Sequence, residues 1–120
     1  MPTLPHQTES AIVRACLDYL AARQILAWRN NTTGLYDPAR KRFREFNSLR
    51  GVSDILGVLP GGRLLAVECK SRKGKLTFDQ HWFMDCLYQL GAVGIVARSV
   101  ADLEEGLRKA GIPCQARDRK

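Results

Sequence analysis

Residues 54–70 read Asp54-Ile55-Leu56-Gly57-Val58-Leu59-Pro60-Gly61-Gly62-Arg63-Leu64-Leu65-Ala66-Val67-Glu68-Cys69-Lys70, and this stretch decides the fold. Two aliphatic-rich runs flank Pro60-Gly61-Gly62, the strongest hairpin signal in the chain, so the pattern predicts two paired antiparallel strands. With the turn at residues 60–62 the pairing is centred on Gly61, Leu59 faces Arg63, and Asp54 faces Glu68. A two-residue turn or a bulge would shift each partner by one position and weaken that alignment. Directly opposed side chains in such a pair have Cβ atoms about 4.5–5.5 Å apart, where two like charges repel. Something must offset that repulsion.

Side chains alternate along a strand, so Glu68 and Lys70 share one face while Val67 and Cys69 share the other. Asp54, Glu68 and Lys70 therefore converge. Two facing carboxylates form a hard-oxygen site suited to Mg²⁺ or Mn²⁺, ions that polarise a phosphoryl oxygen and acidify bound water. A lysine beside such an ion can orient the attacking water, deprotonate it as the neutral amine, or as an ammonium offset charge developing on the phosphate. Singly, each residue has an ordinary explanation: Glu68 and Lys70 as surface charges at a strand end, Asp54 as a cap or turn residue. Together they interrupt an otherwise aliphatic strand on the face that also receives Asp54.

Outward from the hairpin, Ile12, Val13, Cys16, Tyr19 and Leu20 recur at helical spacing, predicting an amphipathic helix over 8–23 capped by Thr8. Glu9 precedes Ile12 and Val13 by three and four residues, on the buried side of the first turn. A first-turn Glu also complements the helix dipole, which is its plainer reading. Ile25 to Arg29 reads as a short strand. Asn30-Asn31-Thr32-Thr33-Gly34 and Asp37-Pro38 carry turn chemistry before a loop or hairpin. Thr77-Phe78-Asp79-Gln80 fits a capping box opening a helix that stops at Gly91. Ala92 to Ala97 reads as a buried strand, and Ser99 or Val100 opens a last helix ending at Gly111-Ile112-Pro113, before a polar tail, Gln115 to Lys120. This order predicts an α/β fold with a mixed sheet flanked by helices.

The chain has 120 residues, enough for a single domain, with 45% hydrophobic and 26% charged residues, a globular balance that argues against disorder. No apolar run approaches the roughly 20 residues of a membrane span, and the N-terminus lacks the pattern of a signal peptide, so the expected location is the cytoplasm. Cys16, Cys69, Cys86 and Cys114 are scattered, and only His6 and His81 could join them, which argues against a zinc site or a disulfide framework. Nineteen Lys and Arg against twelve Asp and Glu give a net charge of +7. The excess is concentrated in Arg40, Lys41, Arg42, Arg44 and Arg50, against Glu45 alone, and in Lys70, Arg72, Lys73 and Lys75. Like-charged blocks on a small domain suggest a face that meets phosphates, with a merely basic, soluble surface as the alternative. Trp28 and Trp82 suit base or partner stacking, although aromatics at such spacing more often belong to a core. His81 reads as solvent-facing, and His6 lies near enough to the first helix to approach the cleft.

Glu9, Gly51-Val52-Ser53-Asp54-Ile55-Leu56-Gly57, Val67-Glu68-Cys69-Lys70 and Gln80 together resemble the PD-(D/E)XK nuclease superfamily, and more closely its VRR-NUC domain. The resemblance spans roughly residues 5–110, with Ser53 where the superfamily's name has proline. It implies a restriction-endonuclease-like core and divalent-metal-dependent hydrolysis of phosphodiester bonds in DNA. Asp54, Glu68 and the backbone carbonyl of Cys69 would hold Mg²⁺ or Mn²⁺, and Lys70 would act on the attacking water. Glu9 looks like the family's helix-1 carboxylate, a further metal ligand or a residue behind one. Gln80 looks like the helix glutamine near the scissile phosphate, a role compatible with capping. Standalone members, phage and bacterial proteins, resemble Holliday-junction resolvases and tend to form homodimers, which implies branched DNA as substrate and a bacterial or host cytoplasm. A catalytically silent DNA-binding module of the same fold and a restriction-type or RNA-directed nuclease are the competing expectations.

Overall fold

The computed structural model describes residues 7–30, 35–39, 42–44 and 49–113, with the backbone alone for 35–37 and 42–44. Nine elements follow in order: α1 (Glu9–Ala22), β1 (Leu26–Arg29), β2 (Leu35–Asp37), β3 (Arg42–Arg44), β4 (Ile55–Val58), β5 (Leu64–Cys69), α2 (Phe78–Gln89), β6 (Val93–Ala97) and α3 (Val100–Lys109). The Thr8 side chain accepts from the Ala11 amide to start α1, Thr77 starts α2, and Ser99 starts α3 by accepting from the Asp102 amide. Each cap satisfies one of the amides that a helix start leaves without an intrahelical partner.

One sheet runs β1-β4-β5-β6, antiparallel at the first two pairings and parallel at the last, and β2 and β3 form a separate antiparallel pair. The β4–β5 register, Ile55↔Val67 through Val58↔Leu64, is the one that a turn at residues 60–62 dictates. Alternation along β5 then divides the molecule. Leu65, Val67 and Cys69 pack with Ile12, Val13, Cys16 and Leu20 of α1 and Leu103 and Leu107 of α3, while Ala66 packs with Phe83 and Leu87 of α2. The mixed sheet thus lies between α1 and α3 on one face and α2 on the other. No helix among the described residues is long and apolar enough to cross a membrane.

Several local expectations fail. The 92–97 segment is not buried throughout: Val93, Ile95 and Ala97 are buried, Gly94 is exposed and Val96 half-buried. β6 is an edge strand, so burial depends on which helix covers each face. Trp28 and Trp82 are 46% and 48% exposed rather than core. Trp28 sits on the edge strand β1, and Trp82 lies about 100° around α2 from Phe83, outside the buried stripe of Phe83 and Leu87. The turn at Asn31–Gly34, Arg40, Lys41, His6, Cys114, the tail and the side chains of Arg42 and Arg44 lie outside the described residues.

Candidate functional site

β5 is flanked by β4 and β6, so its α2-facing side chains start in the most enclosed part of the sheet. Glu68 occupies that face two residues beyond Ala66 and is 2% exposed; Lys70, just past the strand end, is 8% exposed. Asp54 immediately precedes β4, one step beyond the Ile55↔Val67 pair, which sets it opposite Glu68. Its Oδ2 accepts a 2.8 Å hydrogen bond from the Cys69 amide, tying the carboxylate to the partner strand. The strand pleat and the turn thus bring together Asp54, Glu68 and Lys70.

The electrostatics follow from that enclosure. Burial first, then the hydrogen bond shared with Asp54 and the charges of Asp54 and Glu9, push the Glu68 carboxyl up to about 9, against the opposing pull of Lys70. Glu68 Oε1 is buried and has no hydrogen-bond partner. An acid with one oxygen unsatisfied and a second carboxylate beside it is poorly solvated as an anion, and a hard cation would relieve both conditions. This pair fits a divalent ion. Among the described residues no three His, Cys, Asp or Glu side chains gather as a metal-holding group.

Cys69 offers its backbone rather than its sulfur. Its side chain lies on the α1 face, where a hydrogen bond with the Cys16 thiol, then burial and the charges of Asp54 and Glu68, hold the Cys69 thiol far above the ordinary range. Glu9, in the first turn of α1, points to the segment after β5: its Oε2 lies 3.5 Å from the Ser71 amide. A Cβ on Gly74 would lie 3.2 Å from Glu9 Oε2 and 3.4 Å from Lys70 Cδ, so both side chains border Gly74. Gln80 serves the capping box: its Oε1 accepts from the Thr77 amide at 2.9 Å, and its own amide donates to Thr77 Oγ1 at 3.2 Å.

Three further residues support the site: Gly51 and Ser53, inside the motif around Asp54, and Arg98, which carries no sequence signal. Gly51 has φ +82°, and a Cβ there would come within 2.2 Å of the Asp79 carbonyl oxygen, so only glycine lets the segment leading to Asp54 lie against α2. Ser53 is fully buried with its hydroxyl unpartnered, directly before Asp54. Arg98 donates to the carbonyls of Ser71 at 2.6 Å, Gly74 at 2.7 Å and Arg72 at 3.4 Å, bracing the segment that follows Lys70. Of the basic residues singled out, Arg50, Arg72, Lys73 and Lys75 are exposed. A cavity of about 570 Å³ between α2, β6 and α3 shares no lining residue with the carboxylates. No protein-family model matches the chain, and no match is found among curated proteins or solved structures.

Proposed function

We propose that this chain is a divalent-metal-dependent endonuclease hydrolysing phosphodiester bonds in DNA, with a restriction-endonuclease-like core of the VRR-NUC type. The observation that carries the reading is the Asp54–Glu68 pair on one face of a buried strand end, with Lys70 next along that face. Asp54, Glu68 and the Cys69 carbonyl would hold Mg²⁺ or Mn²⁺, which supplies Lewis acidity at the phosphate.

The protein's own groups do the rest. Lys70, buried just past the strand end, would orient a water as an ammonium or take up its proton as the neutral amine. The Asp54 hydrogen bond from the Cys69 amide fixes one carboxylate so that no reorganisation is needed when negative charge builds on the phosphate. Glu9, whose charge acts on Glu68, would be a further metal ligand or stand behind one, Gln80 would approach the scissile phosphate from the start of α2, and Arg50, Arg72, Lys73 and Lys75 would neutralise flanking phosphates together with the 40–44 block. The substrate is branched DNA, such as a Holliday junction, cut by a homodimer whose two symmetric sites address two strands.

The test is cleavage of labelled four-way, flap, duplex and single-stranded DNA with Mg²⁺ or Mn²⁺, beside Asp54→Ala and Lys70→Ala. Loss of about a hundredfold or more in either variant is expected. Retained cutting in both removes the site, equal cutting of all substrates removes the structure preference, and binding without any cutting leaves a silent DNA-binding module.

A further inference from the structure

We infer that α2 carries a stacking platform for unpaired DNA bases, made by Phe78 and Trp82 and rimmed by Arg72, Lys73 and Lys75. Phe78 is 84% exposed and Trp82 48%, one helical turn apart on the same outward side, while Phe83 and Leu87 take up the buried side. Neither ring contributes to the core, so folding does not account for two large aromatics there. Immediately upstream, residues 70–75 hold four cations and no acid, and Arg72, Lys73 and Lys75 are exposed.

Their backbone is fixed rather than loose. The Arg98 guanidinium binds the Ser71, Arg72 and Gly74 carbonyls, and Gly74 donates back to Ser71 O at 3.1 Å. The cations thus stand on a braced segment three to six residues ahead of Phe78, at the entry to α2. Cations on a braced backbone leading into exposed aromatic faces match a single strand, whose phosphates take the charge and whose bases take the rings. An apolar protein partner would leave the cationic rim unpaired, and a duplex would keep its bases stacked away from the rings. Asp85, exposed on the same side of α2 a turn beyond Trp82, marks where an anionic strand must diverge from the helix. The inference rests on DNA as ligand, but not on cleavage.

The experiment uses Trp28→Phe protein, in which Trp82 is the single tryptophan, titrated with oligo(dT) in EDTA at low salt. Quenching of Trp82 emission by the oligonucleotide, none by polyphosphate, and about fivefold to a hundredfold weaker binding on Phe78→Ala are expected. Binding unchanged by Phe78→Ala, or equal quenching by polyphosphate, overturns the platform. So does a sedimentation mass that halves on Phe78→Ala with DNA affinity unchanged, which would assign the face to a second copy. Quenching without cleavage by the wild type would sink the nuclease reading alone, and cleavage without quenching would sink the platform alone.

Discussion

Replacing Glu68 by glutamine should stabilise the metal-free protein, and the gain should depend on pH in a defined direction. The folded carboxyl sits at about 9 against an ordinary value of 4.5. Folding therefore favours the protonated form, and the sign is that of a raised group. Its contribution is fully present below about pH 4.5 and is lost progressively as pH rises toward about 9. Each unit of pH in that window costs about 1.4 kcal/mol, so at about pH 7.5 the wild type gives up on the order of 4 kcal/mol relative to an uncharged isostere. Water entering the cleft reduces this, and a measured gain of about 2–4 kcal/mol is expected. Glutamine keeps the shape and offers Asp54 an N–H in place of the acid O–H, so packing is not the variable.

Urea unfolding in EDTA, followed from about pH 4 to pH 9, reads the effect directly. Wild type and Glu68→Gln should coincide near pH 4 and separate steadily above it, with equal m-values. Adding Mg²⁺ should then stabilise the wild type by mass action and leave the variant almost unmoved. A variant no more stable than wild type at about pH 8, or a difference that does not change with pH, would refute the claim that burial and Asp54 together load this carboxyl.

Arg98→Ala should cost about 2–3 kcal/mol, since three carbonyls lose a charged donor, and should speed amide exchange across residues 71–75 more than elsewhere. Gly51→Ala should destabilise by about 2–4 kcal/mol in thermal melts and lower cleavage as well, because α2 and the approach to Asp54 must separate. Neutralising Arg40, Lys41 and Arg42 should weaken DNA binding and make log K against log[salt] shallower by about 1–3, and an unchanged slope would assign that block to solubility.

The parts of this molecule that were legible in its sequence are those set by short-range rules. Pro60-Gly61-Gly62 fixes a turn, the turn fixes the register, and the period-two pleat then commits Asp54, Glu68 and Lys70 to one face without any knowledge of the rest of the chain. Thr8, Thr77 and Ser99 cap their helices for equally local reasons. What escaped depends on which element covers which. The half-buried state of β6 follows from its place at the sheet edge, which only the strand order reveals. Trp82 carries the same helical spacing whether it faces the sheet or solvent, and only the contacts of α2 decide between them.

The same division runs through the site and explains its composition. The carboxylates and Lys70 stand at the ends of β4 and β5, where backbone pairing fixes their spacing. Their supports come from elements distant in sequence, Gly51 against α2 and Arg98 against the segment after β5. Two acids forced into contact by register are costly in isolation, and Glu68 expresses that cost as a retained proton and an unpartnered oxygen. A sheet that merely needed to fold would place an aliphatic residue at this point of its central strand, as it does at Ala66 and Val67. That tension is what the proposed cation would relieve: Glu68 holds its proton beside Asp54 without a metal, and a bound divalent ion would let both carboxyls ionise.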